Sequence, residues 1–226
     1  MVRVTCTRGR EQVLVRRCAP EDVAAAAAEE AGWERSGGAL VLVCTHGRKD
    51  WCCALRGRPT ALALSALDPE ATWECSHLGG DRFAATVLSL PAGVTFGRVG
   101  VDDAAELVGA LRAGRVPARL LRGRCTDPVA VQAADASARL ALGRERLDDL
   151  RPTAVHRGDA GTWTVTLADA GAGGAVEAQV EVTVRQRHVA RPQRLTCGAV
   201  EEQHARTWEL VRLRVVPGGG ASAPTG

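Results

Sequence analysis

Cys44 and Cys53 bracket the stretch VCTHGRKDWCC, and WECSHLGGDRFA follows a few turns later with Cys75, His77 and Asp81. Two thiols, a third thiol and an imidazole in one short segment form a ligand set. Soft thiolates and a histidine suit an iron–sulfur cluster or zinc better than a disulfide framework in a chain without signs of secretion. Met1 is followed by VRVTCTRGR, which lacks the apolar run and small-residue cleavage site of a signal peptide. The reducing cytoplasm is the expected compartment.

A chain of 226 residues, 46% of them apolar, is long enough to bury a core. LVLVC and ATVLSL are each cut short by charge or a turn, so no membrane span is expected. Net charge is +3, with two Phe and no Tyr, and no basic block is interleaved with aromatics. A nucleic-acid partner is therefore not expected.

The elements that must position the thiols follow from pattern. EQVLVRR reads as a short strand, and PEDVAAAAAEEAGW as a helix with Pro20 near its start and Gly32 at its end. Ser36, Gly37 and Gly38 precede ALVLV, a strand buried on both faces that ends at Cys44. CCALRGRPTALALSAL is helical, with Gly57 and Pro59 expected to disturb its first turns, so Cys52 and Cys53 lie near a helix amino terminus. ATWEC is a second strand delivering Cys75 and then His77 to its carboxyl end, before the turn at Gly79 and Gly80. AATVLSL and VTFGRV form a hairpin, and DDAAELVGALRAG a helix stopped by Gly114. Strand, helix, strand, hairpin, helix suits a thioredoxin-like α/β core with its chemistry outside the strands' carboxyl ends.

Beyond Asp127 the pattern changes. Pro128 to Arg146 reads as a long amphipathic helix, and TAVHR, TWTVTLA, VEAQVEVTVRQR, RLTCGA and RTWELVRLRV as strands of an antiparallel appendix. The expected domain map is a short N-terminal lead (1–38), a thioredoxin-like domain (39–124), a C-terminal helix plus β appendix (125–216) and a disordered tail (217–226).

VCTHGRKDWCC, WECSHLGGDRFAATVLSLP, LLRGR, PVAVQAADASARLALG and the closing RLTC and WEL stretches together resemble the sucrase/ferredoxin-like family over about Leu40 to Leu213. The resemblance, to an actinobacterial type with a shortened N-terminal region, implies a thioredoxin-like 2Fe-2S ferredoxin. The family pairs two cysteines separated by eight residues with a downstream H-x-G-G-H. Cys44, Cys53 and His77 match that pattern; Asp81 stands where the second histidine belongs.

For the fourth ligand two residues compete. Asp81 occupies the matching position, but a carboxylate is a hard donor for iron already bonded to sulfide. Cys75 is softer and lies two residues before His77 on one expected strand, so both would face one side. The set favoured by sequence is Cys44, Cys53, Cys75 and His77, with Asp81 orienting His77 or an arginine. Imidazole in place of thiolate implies a higher potential than an all-cysteine ferredoxin has, and a ring proton on His77 that follows the electron.

Taken singly, buried cysteines are small core residues, the reading for Cys6, Cys18, Cys125 and Cys197. Cys52 is the idle neighbour of Cys53, or a redox-active thiol at a helix amino terminus. His46 structures the ligand loop, while His156, His188 and His204 are surface residues. Ser76 and His77, adjacent on a strand, are badly placed for a hydrolase triad with Asp81, and no glycosidase carboxylate pair stands out. Arg82 with Arg119, Arg122 and Arg124 could form a basic rim for an acidic redox partner. The expected function is electron transfer without substrate chemistry; the alternatives are a thiol-disulfide oxidoreductase or a structural zinc module.

Overall fold

In the computed structural model, the described residues are 2–5, 11–35, 38–48, 50–171, 176 and 178–217. Cys6 and residues 218–226, read above as a core thiol and a disordered tail, lie outside them. The chain divides into two units, Met1–Ala104 with Arg124–Thr126, and Ala105–Gly123 with Asp127–Gly226.

The first unit opens with a small antiparallel sheet of β1 (Val2–Thr5), β2 (Gln12–Val15) and β3 (Glu34–Arg35). The helix expected between β2 and β3 is short, a 3-10 turn at Pro20–Asp22 running into α1 (Val23–Ala28). Its alanines offer no apolar stripe, and Ala26 alone in α1 is buried.

β4 (Leu40–Cys44) is the centre of the main sheet. It pairs in parallel with β5 (Thr72–Cys75) and antiparallel with β6 (Val87–Leu90), and β6 turns at Pro91–Gly93 into β7 (Val94–Phe96). The neighbours run β5, β4, β6, β7. The crossover between the parallel strands is α2 (Trp51–Leu67), which packs on β4 and β5. A βαβ unit followed by a hairpin, with its first strand inside and its second at the edge, is the thioredoxin-like arrangement. Leu40 and Leu90 bury one face of this sheet against Val13 of β2, with Val15, Leu42 and Leu88 packed alongside. Two-sided cover explains the unbroken apolar run of β4.

Pro59 does not break α2. It lies inside a continuous helix, and the Leu55 residue whose carbonyl loses its donor is exposed, so water can satisfy it. β8 (Leu121–Arg124) was not legible as a strand, because two of its four residues are arginines. Its last residue belongs to the first unit, where buried Arg124 donates to Glu11 at 3.1 Å.

The second unit takes in α3 (Ala104–Arg112) from Ala105 onward, α4 (Val129–Leu142) and a four-stranded antiparallel sheet. Its strands are β9 (Leu150–Arg157), β10 (Thr162–Asp169), β11 (Ala178–His188) and β12 (Arg206–Pro217), in meander order. α4 ends earlier than expected because Gly143 takes a left-handed cap (φ 65°), its N–H donating to the Arg139 carbonyl. Val131, Ala134 and Ala138 of α4 cover Val165, Leu167, Val180, Val182 and Val184 of the sheet. RLTCGA is not a strand; that stretch is bends and turns, with an isolated bridge between Gln193 and Gln203. Among the described residues no helix is long and apolar enough to cross a membrane.

Candidate metal centre

The carboxyl ends of β4 and β5 bring Cys44 and Cys75 together as register partners. The sheet pairing continues one residue further, the Thr45 N–H donating to the Cys75 carbonyl at 3.2 Å, and the Cys44 N–H donates to Thr86 across the sheet at 3.1 Å. The ligand loop then returns through Asp50, whose carboxylate caps α2 by accepting the Cys52 N–H at 3.1 Å. Cys53 therefore stands in the first turn of α2, its own N–H donating to the Asp50 carbonyl at 3.1 Å.

Gly57 sets how close that turn comes to β4. A Cβ at this position would lie 2.1 Å from the Cys44 carbonyl oxygen. Only hydrogen fits there. Cys53, one helical turn earlier, is thereby held against Cys44, and both are 1% exposed. The Cys44 thiol donates to the Ser76 carbonyl at 4.0 Å and the Cys53 thiol to the Asp81 carboxylate at 3.6 Å.

Asp81 enters from the other side. Gly79 (φ 77°) and Gly80 (φ 71°) both occupy the left-handed region that L side chains rarely adopt, and their turn delivers Asp81 to the start of a 3-10 turn, Asp81–Phe83. Its carboxylate is buried, with Oδ1 3.6 Å from Cys53 Sγ and 3.6 Å from His77 Nδ1. The His77 ring is 37% exposed and so reaches the surface. Strand β5 stops at Cys75, leaving His77 in the following loop. The expectation that strand alternation puts Cys75 and His77 on one face does not apply; His77 reaches the centre through its contact with Asp81.

The electrostatics are one-sided. Burial, the neighbouring Cys44 thiol and the Asp81 carboxylate push the Cys53 thiol up from 9.0 to about 12. Burial and Cys44 push Cys75 up to about 11, against a small opposing effect of the His77 backbone N–H. Every charge acting on these thiols is negative or potentially so. Deprotonation in place requires a positive centre among them.

His46 is the residue whose role sequence reading understated. Its carbonyl accepts the Asp50 N–H at 3.4 Å, but its Nδ1 is sealed from solvent and has no hydrogen-bond partner. The signal was its place two residues after Cys44, in the loop that leads to Cys53. Other cysteines leave the expected pattern: Cys18 is half-buried and Cys125 is an exposed free thiol rather than a core residue, while Cys197 is exposed and both it and Cys52, read above as an idle or redox-active thiol, are disulfide-bonded. His156, His188 and His204 are exposed, as read from sequence, and the His204 ring contacts the Val189 carbonyl at 2.8 Å.

Comparison with known proteins gives three findings. No curated protein matches the chain. Among solved structures, the thioredoxin-like [2Fe-2S] ferredoxin from Aquifex aeolicus aligns at 22% identity over 41% of this chain and 97% of that one, with a TM-score of 0.36. Two of its cysteine-to-serine variants align at 22% and 23% identity over 38% of this chain and 100% of theirs, each with a TM-score of 0.35. The family model for sucrase/ferredoxin-like proteins matches residues 7–123, just over half of the chain. The chain belongs to the sucrase/ferredoxin-like family.

Proposed function

We propose that this protein is an electron carrier whose strand-end donors hold a 2Fe-2S cluster with mixed cysteine and histidine ligation. The observation that carries the reading is the donor set itself. Cys44 and Cys75 are register partners, Cys53 Sγ lies 3.6 Å from the buried Asp81 carboxylate and that carboxylate lies 3.6 Å from His77 Nδ1, a chain of pairwise approaches in which two thiols are driven to about 11 and about 12. Such a set is relieved by a cationic, sulfur-binding group. The unpartnered Nδ1 of His46 in the same loop supports the same conclusion, since a buried orphan nitrogen is expensive unless something accepts from it or donates to it.

Cys44, Cys53 and His77 would supply three ligands. For the fourth, the contacts of Asp81 with both Cys53 and His77 favour Asp81; ligand softness and the register with Cys44 favour Cys75. When bound, such a cluster takes up and releases one electron. The surrounding residues then do two things: burial of Cys44 and Cys53 keeps water from the sulfur side, and the half-exposed His77 ring offers the edge at which a redox partner can approach.

A thiol-disulfide enzyme is disfavoured by the same numbers, because a reactive cysteine needs a depressed pKa and Cys53 is raised despite its helix amino terminus. Anaerobic purification tests the reading. A red-brown protein with iron and acid-labile sulfide, giving one electron-spin signal on one-electron reduction, is the expected result. Colourless protein containing zinc would overturn it in favour of a structural module.

A further inference from the structure

A cavity of about 370 Å³ lies beside the ligand-bearing elements, between α2 and the segment that follows the Asp81 turn. Its floor is Thr60, Ala84, Ala85 and Val99, all buried. The Thr60 hydroxyl contacts the carbonyls of Arg56 (3.0 Å) and Val99 (2.9 Å), so it is occupied within the protein and the floor is effectively apolar. Two guanidinium groups stand at the walls, Arg56 and Arg98. Among the described residues neither forms an ion pair.

Arg98 takes an unusual backbone conformation. Its φ of 58° lies in the left-handed region, which residues other than glycine rarely adopt. The conformation is fixed by its N–H donating to the Phe83 carbonyl at 2.8 Å and by the guanidinium lying over the Phe83 ring, 5.5 Å from its centre. The lining residue Gly100 donates its N–H to the Asp103 carboxylate at 2.7 Å.

We propose that this cavity binds a small organic anion, a carboxylate on a compact apolar body. Arg56 and Arg98 take the carboxylate, for which the planar guanidinium fork is suited, and the Thr60–Val99 floor takes the apolar part. Concave, mainly apolar sites with a few convergent polar groups are the usual form of small-molecule pockets. An inorganic anion would leave the floor wet, and a neutral apolar molecule would leave both cations unanswered. The proposal needs none of the five metal-centre donors and stands apart from the cluster.

Titrating the ¹⁵N-labelled full chain with benzoate tests it. Saturable shifts are expected at the amides of Thr60, Ala84, Ala85 and Val99. Benzamide, the uncharged isostere, should bind at least about tenfold more weakly, and so should benzoate to the Arg56→Gln/Arg98→Gln double variant. Inorganic phosphate should also bind at least about tenfold more weakly, for want of apolar contact. Shifts that stay linear or fall elsewhere would overturn the proposal, as would benzamide or phosphate matching benzoate. Unchanged affinity in a folded double variant would do the same. If the double variant does not fold, the benzamide comparison decides.

Discussion

Replacing Gly57 by alanine adds one methyl group where the Cys44 carbonyl oxygen would be 2.1 Å away, and real Cβ atoms essentially never come within 3.0 Å of a neighbour. Helix α2 must therefore withdraw from the end of β4 by about 1 Å, because a packed interior transmits such a clash rather than absorbing it. Overpacking of this kind costs about 1–3 kcal/mol, partly offset by the roughly 0.5–1 kcal/mol that alanine gains over glycine inside a helix. The fold should survive with a melting temperature lower by about 2–8 °C. Cys53, one turn away on the same side of the helix, moves with it, and about 1 Å is several times the roughly 0.2 Å that a metal–ligand distance tolerates. After anaerobic reconstitution with iron and sulfide, Gly57→Ala is expected to hold less than half the wild-type iron and sulfide. The control is Gly109→Ala, whose added Cβ meets nothing within 4 Å and which should load normally. Wild-type loading by folded Gly57→Ala would refute the claim that this glycine sets the Cys44–Cys53 approach.

Asp81→Ala should abolish retention of iron while Cys75→Ser retains it if Asp81 is the fourth ligand; the reverse pattern in iron and sulfide assays assigns Cys75. His46→Leu should raise the stability of the metal-free protein by about 1–3 kcal/mol, since it removes a buried nitrogen that bonds to nothing there, yet shorten the lifetime of the visible chromophore under a chelator. The raised thiols make the metal-free protein alkali-sensitive: the unfolded chain loses these protons near 9.0, the folded one only near 11 and 12. Stability is therefore full below about pH 9 and falls as pH rises through the folded values, so urea midpoints should drop between pH 8 and 10.5 more in wild type than in a Cys53→Ala/Cys75→Ala variant. In the second unit, buried Arg139 pairs with Asp135 at 3.0 Å and donates to the Arg146 carbonyl at 2.7 Å. Arg139→Ala should cost about 3–5 kcal/mol in urea unfolding by breaking a buried ion pair and removing the donor to the Arg146 carbonyl, whereas a change below about 1 kcal/mol would show the pair to be dispensable.

The order of the core was legible because β4 is a continuous apolar run and the glycines at 79, 80, 93 and 114 sit at turns where the chain needs a positive φ. What failed failed for local reasons. α4 was drawn too long, since its apolar pattern continues past the Gly143 stop; RLTCGA has strand-like composition but no partner edge; β8 is too charged to read. In the site, the residue types and spacing singled out Cys44, Cys53, Cys75, His77 and Asp81, but the reach of Asp81 depends on two successive left-handed glycines, and the closeness of Cys53 to Cys44 on a missing side chain. Neither is a property of any single residue's chemistry. The orphan nitrogen of His46 is likewise visible only once the loop is closed around it.

All five donors lie between Cys44 and Asp81, inside one strand-helix-strand unit and the turn after it. Closing these short intervals costs little chain entropy, which grows only slowly with loop length. If these residues hold the proposed cluster, its capture is a local event, available to a nascent chain before its C-terminal half exists, and a loaded centre would hold β4, α2 and β5 together while the rest is still being made. It also frees the remainder of the sequence to drift: substitutions beyond the turn can reshape the protein's outer surfaces without touching a donor.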